Sequence, residues 1–214
     1  TPGDFYHWIT YGMINTDMPG YAGRLSDEDR WDLVNYIHAL SRGYQARILK
    51  PEIIPNKAYV KPPVFTYGGH EGNNGALHDF RDKKVVLMVI FSWPQSKERL
   101  EQLRSAYIKL SDLDAAVLAV PSQELTAEEL AQATFEIVNS YSLFRRTLSH
   151  SDLIGKGTIP SHLEFLIDRK GYLRGRWIPS VDYSGWSDID QLTRQISLLN
   201  RETTKILYPE EYLR

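Results

Sequence analysis

The side chains that could do chemistry in this sequence are few, because none of its 214 residues is a cysteine. This absence excludes disulfides, thiolate nucleophiles, iron–sulfur clusters, thiolate zinc sites and haem attachment through cysteine within the chain. The six histidines are scattered, and none shows the i, i+4 or His-x-His spacing of a metal site. Any reaction would therefore have to use other groups.

Ser96 and His162 are the candidates for a polar reaction centre. A serine that opens an amphipathic segment most simply caps a helix, and a nucleophilic Ser96 would need a base and an oxyanion hole. His162 lies two residues after Pro160, beside a predicted hairpin, where it either makes an ordinary hydrogen bond or contributes to a weak metal site. A cysteine-free enzyme would need Trp93, Gln95, Ser96 and His162 to converge in one pocket.

Composition indicates a folded protein of one large or two unequal domains. Hydrophobic residues make up 42% and charged residues 24% of the chain, and the formal net charge is −2. There is no basic excess to neutralise phosphates, so nucleic acid is not expected as a partner. The longest apolar run, Val85–Phe91, is far shorter than the roughly 20 residues that cross a bilayer, so no transmembrane segment is expected.

Residues 1–47 contain one clear helix signal. Ser26 and Asp29 have capping-box spacing, and an apolar stripe follows to Leu40, with Gly43 as the predicted end of the helix. So short a piece buries too little surface to fold alone, so it needs a partner surface.

This segment resembles the C-terminal half of a class I cytochrome c. The resemblance rests on Asp17-Met-Pro-Gly-Tyr21 and on the run from Leu25-Ser26 to Tyr36-Ile37. It implies that Met18 is the distal axial ligand of a haem c, with a packing methionine as the alternative reading. The family's Cys-x-x-Cys-His motif is missing, so haem is expected in a longer parent protein and not in this fragment.

Residues 48–65 carry four prolines, at positions 51, 55, 62 and 63, and are predicted to form an extended, semi-rigid linker. The second domain is then 66–214. Its central strand is predicted at Val85–Phe91, followed by one amphipathic helix over residues 97–110 and a second buried strand over 115–120 that pairs in parallel.

The remaining predicted elements alternate in the same way. A helix begins at Thr126 with Glu129 in its capping box, and a strand at 135–138 and a short helix at 141–148 follow. Residues 159–168 and 172–178 form a hairpin around the turn Arg169-Lys-Gly171. Ser187 and Asp190 cap a final helix whose residues Ile189, Leu192, Ile196 and Leu199 face inward.

This order of elements, with its Gly157-Thr-Ile-Pro160 entry to the hairpin, resembles the thioredoxin-like fold in its peroxiredoxin and Sco branch. The resemblance implies an α/β fold with a central mixed sheet flanked by helices, and a cis Ile159–Pro160 bond. The family's redox cysteines follow the central strand, where this chain reads Phe91-Ser-Trp-Pro-Gln-Ser-Lys-Glu-Arg99. Trp93, Pro94, Gln95, Ser96 and Pro160 would therefore occupy the family's site without its chemistry.

Two further groups have ordinary explanations. The arginines and lysine at positions 145, 146, 169, 170, 174 and 176 could form an anion site, but flanking acids favour solvated faces. The aromatic residues Trp177, Tyr183 and Trp186 could form a recognition surface, but side chains of this size more often fill a core.

The combination of a cytochrome c tail and a cysteine-free thioredoxin-like domain resembles the C-terminal region of bacterial copper resistance protein D-like membrane proteins. It implies a non-catalytic extracytoplasmic or periplasmic module that binds a protein partner or the rest of its parent, with haem in the parent. Two alternatives stay open. One is an enzyme with an unconventional site, and the other is weak copper binding by histidines with Met18 or Met13.

Overall fold

The computed structural model of the chain describes residues 1–62, 66–68, 74–123, 125, 126, 128, 129, 160–182 and 185–202. Its helices are α1 (Pro2–Tyr11), α2 (Asp27–Ile48), α3 (Lys97–Ser105), α4 (Tyr107–Ser111) and α5 (Ile189–Arg201), with a 3-10 helix at Leu77–Phe80. Its strands are β1 (Thr66–Gly68), β2 (Asn74–Ala76), β3 (Val85–Phe91), β4 (Ala115–Pro121), β5 (His162–Ile167) and β6 (Leu173–Trp177). The elements predicted at 135–138 and 141–148 lie outside the described residues, as does Ile159.

The main sheet has four strands in the order β4-β3-β5-β6. β3 pairs in parallel with β4 and antiparallel with β5, which forms an antiparallel hairpin with β6. The apolar run therefore forms a central strand, as its composition predicted. The predicted α/β class with a mixed sheet and flanking helices is confirmed.

Alternate residues of β3 pack into two apolar layers, one on each face of the sheet. The first layer includes residues of β3, α3 and α5: Val85, Leu87, Val89, Leu100, Leu103, Leu192 and Ile196. The second includes residues of β3, the segment before β1 and the 3-10 helix: Val86, Ile90, Leu49, Tyr59 and Leu77. The sheet is thus covered on both sides.

Two helix boundaries after the central strand differ from the prediction. The single helix expected over 97–110 is divided at Ala106, just after Ser105, whose hydroxyl donates a hydrogen bond back to the Glu101 carbonyl. Such back-bonding competes with the helix ladder and bends helices. α5 is capped by Asp188, whose carboxylate accepts a bond from the Asp190 amide, and not by Ser187.

Residues 49–62, which belong to the predicted linker 48–65, are extended but pack against the main sheet. The backbone of β6 bonds to it at both ends, through Arg176 N to Lys50 O and Leu173 N to Val60 O. Ile53 and Tyr59 are buried. Because these residues bury apolar surface, the segment behaves as an additional edge of the domain and not as a free spacer.

The N-terminal segment contains two helices where the sequence indicated one. Thr1 and Asp4 form a capping box for α1, a signal that the sequence analysis missed. The predicted capping box of Ser26 and Asp29 is confirmed at the start of α2. α2 does not end at Gly43 but continues to Ile48, because a helical glycine costs only about 1 kcal/mol and the continued helix buries Ala46.

Candidate functional site

The residues that follow the central strand form a tight turn into α3. Trp93 and Ser96 are buried, whereas Pro94 and Gln95 are exposed. The Trp93–Pro94 peptide bond is cis, and the Trp93 carbonyl accepts a hydrogen bond from the Gln123 side chain. The turn therefore brings two of the four predicted residues inward and leaves Gln95 facing solvent.

Ser96 occupies the N-cap position of α3, as predicted, but its hydroxyl does not cap the helix. It donates instead to the carbonyl of Ser161, 3.0 Å away, immediately before β5. A nucleophilic serine needs its proton in contact with a base. Since the Ser96 hydroxyl donates its hydrogen bond to a backbone carbonyl and not to a base, it links the turn to β5.

His162 is the first residue of β5 and is buried, with 6% of its surface exposed. Its Nε2 lies 2.9 Å from Oε1 of Glu164, two residues along the same face of the strand. Because a carboxylate only accepts, the imidazole donates this bond. The prediction of a hydrogen-bonding histidine beside the hairpin agrees with this geometry.

Glu164 is the centre of a buried cluster with Arg99 of α3. Arg99 donates from Nε to Oε1 at 2.7 Å and from Nη2 to Oε2 at 3.1 Å, which is a two-bond ion pair. The guanidinium also lies 4.7 Å from the centre of the Trp177 ring. His162 contacts the same ring edge to face, at 6.1 Å between centroids. We call these four residues the Glu164 cluster.

The cluster keeps Glu164 ionised in the interior. Burial raises the pKa of this carboxyl, but the hydrogen bond from His162 and the charge and hydrogen bonds of Arg99 outweigh burial and leave its pKa below the ordinary value. The carboxylate accepts three bonds, so it has little free capacity to act as a base. The arrangement is suited to joining α3 to the sheet.

Sequence analysis missed Arg99 and Glu164. A signal was available, because Glu164 interrupts an otherwise apolar strand between Leu163 and Phe165. A fully buried carboxylate requires a partner of opposite charge. The partner could not be identified from spacing, since it lies 65 residues away in the chain.

One atom of the cluster has no hydrogen bond. Nδ1 of His162 is buried and without a partner. In a neutral imidazole that donates from Nε2, this nitrogen carries a lone pair. It is a single nitrogen donor, and within the described ranges no group of three or more His, Asp or Glu residues could hold a metal ion.

Met18 lies in the loop between α1 and α2 and is half-buried. The loop is closed by a bond from Met13 N to Met18 O and by a bridge between Gly12 and Pro19. A Cβ on Gly12, which has φ of +83°, would lie 2.7 Å from the Met18 carbonyl oxygen, so only glycine fits there. The backbone thus holds Met18 in a defined place.

Met18 fits only part of a haem site. A thioether on a constrained loop is a suitable axial ligand. The chain has no cysteine to attach a c-type haem, and therefore none of the Cys-x-x-Cys-His motif that supplies the family's proximal histidine. This chain alone therefore does not complete the site.

Three of the basic residues of the predicted anion group pair with separate carboxylates. Arg169 pairs with Asp114 and Lys170 with Asp82, while buried Arg174 pairs with Asp168 and Glu202. Arg145 and Arg146 lie outside the described residues. Trp177 and Trp186 are buried, with indole N–H groups that donate to the carbonyls of Asp182 and Pro51, which agrees with a core role.

Comparison with protein-family models and with curated proteins finds no match. Solved structures do match. A thiol:disulfide interchange protein described as DsbE from Chlorobium tepidum aligns with 20% identity and a TM-score of 0.50, over 66% of this chain and 97% of its own. A thiol:disulfide interchange protein from Bacteroides sp. aligns with 16% identity and a TM-score of 0.50, over 68% of this chain and 92% of its own.

The mitochondrial 2-Cys peroxiredoxin of Plasmodium falciparum is similar at 13% identity and a TM-score of 0.50, over 73% of this chain and all of its own. Together with the mixed sheet, these likenesses show that the chain has a thioredoxin-like fold. At such identities they establish the fold alone. None of the helices in the described part of the chain is long and apolar enough to cross a membrane.

Proposed function

We propose that this chain is an extracytoplasmic, non-catalytic module of a bacterial membrane protein that contains haem and passes electrons or handles copper. In this proposal the thioredoxin-like domain binds or positions a partner protein or the rest of its parent. The observation that carries it is the turn from Phe91 to Ser96, which enters α3 without a cysteine in a fold shared with thiol:disulfide interchange proteins.

Two features support a binding role over a catalytic one. Thiol exchange lacks its reacting atoms, because only a thiolate attacks a disulfide. The polar groups nearest that turn are occupied, since the Ser96 hydroxyl bonds to a carbonyl and Glu164 to Arg99 and His162. Met18 supports the haem part, as one axial ligand that a parent protein would complete.

Reduction of insulin disulfides with dithiothreitol as electron source tests the non-catalytic part. The chain should give no rate above dithiothreitol alone. The double variant Trp93→Cys with Ser96→Cys, which creates a Cys-Pro-Gln-Cys turn at the start of α3, is a positive control for the assay. An enzyme would be indicated instead by a turnover, such as ester hydrolysis, that both Ser96→Ala and His162→Ala abolish.

Copper binding is the second candidate, and the unpartnered Nδ1 of His162 is the observation that favours it. Calorimetric titration with Cu(I) and Cu(II) tests this candidate. A site tighter than about 1 μM that is lost in His162→Gln would support it, whereas no such heat would eliminate it.

A further inference from the structure

Exposed apolar side chains are concentrated in the N-terminal segment. Of the fourteen large apolar side chains exposed in the described part of the chain, ten lie within residues 1–54. Scattered single examples are normal on protein surfaces, but a concentration marks an interaction site. The question is which of these side chains share one surface.

In the described part of the chain, α2 has one apolar face that is covered and one that is exposed. Val34 is fully buried, and Tyr6 of α1 stacks on Trp31 at 4.5 Å between ring centroids. Leu33 and Tyr36 point away from that contact and remain 38% and 50% exposed. With 3.6 residues per turn, the two faces lie on different sides of the helix.

The uncovered face forms a groove of about 640 Å³. Its apolar floor is Leu25, Leu33 and Tyr36, and its polar rim is Asp29, Asp32 and Asn35. We call this surface the α2 groove. Its floor residues on α2 are three apart, which suits a partner that presents side chains at helical spacing.

The rim determines which partner fits. Asp29 accepts hydrogen bonds from the hydroxyl and amide of Ser26, and these bonds lower its pKa, so it is charged at neutral pH. Asp32 is also exposed, and none of the lining residues is basic. A second copy of the chain would place acidic rim against acidic rim in a two-fold contact, and an anionic lipid surface would be repelled.

We propose that the α2 groove is a docking site for an amphipathic helix whose apolar face is flanked by lysine or arginine. The apolar floor supplies contact area and the aspartates supply orientation and attraction. The proposal does not depend on whether Met18 binds haem, because neither Met18 nor the bridged residues Gly12 and Pro19 line the groove.

The probe is a synthetic 18-residue amphipathic peptide of leucine and lysine, compared with a peptide that has glutamate at every lysine position. Fluorescence anisotropy should show the basic peptide binding at least about tenfold more tightly than the acidic one, with weaker binding as salt increases. Leu33→Ser and Tyr36→Ser should each weaken binding about tenfold or more, because each removes floor contact.

Asp32→Asn should weaken binding about twofold to fivefold and reduce its salt dependence. Asp32 is chosen because the Asp29 carboxylate also completes the capping box of α2. Ile108→Ser on α4, where the side chain is 76% exposed, is the matched control and should leave binding unchanged. Circular dichroism should show that each variant keeps its helix content.

Three results would overturn the proposal. The first is equal binding of the acidic peptide, and the second is an equal loss with Ile108→Ser. The third is a dimer in sedimentation that Tyr36→Ser dissociates, which would assign the groove to a second copy of the chain.

Discussion

The buried Glu164 carboxylate accepts hydrogen bonds from both Nε and Nη2 of Arg99. This ion pair joins α3 to β5, close to the turn where the resemblance to the thioredoxin-like fold predicts redox chemistry. A buried ion pair contributes to a unique arrangement more than to net stability, because desolvation offsets much of its attraction. The free energy of unfolding should therefore decrease most when only one partner of the pair is replaced.

Glu164→Gln should destabilise the chain by about 3–5 kcal/mol, because the charge of Arg99 then stays buried without a carboxylate. Urea unfolding measures this loss of stability. The double variant Arg99→Met with Glu164→Leu should cost only about 1–3 kcal/mol, mostly for the unpaired Nε2–H of His162. If the free energy of unfolding of Glu164→Gln lies within about 0.5 kcal/mol of the wild-type value, the pair does not hold α3 in place.

The same carboxyl predicts how stability depends on pH. Burial raises its pKa, but the hydrogen bond from His162 and the charge of Arg99 prevail, and the folded pKa lies below the ordinary value. The contribution of Glu164 is therefore complete above its unfolded pKa and is lost as the pH falls through the lower folded pKa. The stability difference between wild type and Glu164→Gln should shrink from about pH 7 to about pH 3. A constant difference would contradict the assignment.

Gly175 of β6 allows the segment 49–62 to approach the sheet. A Cβ there would lie 3.0 Å from Ile53 Cδ1 and from Trp186 Cζ2, and 3.2 Å from the Lys50 carbonyl oxygen. Gly175→Ala should cost about 1–3 kcal/mol, because backbone and core must shift together. Gly23→Ala, with open space around the added Cβ, is the matched control and should be close to neutral in thermal unfolding.

Arg174 holds the same segment through a second set of contacts. It donates to the carbonyls of Lys57 and Ile54 and pairs with Asp168 and Glu202. Arg174→Met should cost about 3–5 kcal/mol, because two carboxylates lose their buried partner.

Hydrogen exchange provides a local measurement of the Arg174 contacts. The amide of Asn56, which bonds to Glu202, should exchange faster in Arg174→Met. Arg194→Met, which removes a side chain that is 68% exposed, is the control and should change the free energy of unfolding by no more than about 0.5 kcal/mol. Unchanged protection of Asn56 in Arg174→Met would show that apolar packing and backbone hydrogen bonds hold the segment without Arg174.

Much of the fold could be predicted because its signals are local. A seven-residue apolar run bounded by charges is typical of a strand buried on both faces, and the capping-box spacing of Ser26 and Asp29 marks the start of α2. The end of α2 could not be predicted in this way, since it depends on burial of Ala46 rather than on Gly43. The packing of segment 49–62 could not be predicted either, because it also depends on which residues become buried.

The candidate site was predictable only in part. Ser96 and His162 could be placed near the end of the central strand, but their hydrogen bonds could not. The Arg99–Glu164 pair joins residues 65 positions apart, and no sequence period reports such a contact. Met18 was identified by resemblance, and its role as a haem ligand stays a prediction.

The most direct test of the proposed function is the absorption spectrum of the natural protein that carries this chain, purified from a host that matures c-type haem. We expect a haem spectrum in which the features of thioether ligation disappear in Met18→Ala and persist in Met13→Ala, the neighbouring methionine of the same loop. Absence of haem, or a spectrum indifferent to Met18→Ala, would contradict the account and leave Met18 as a packing residue.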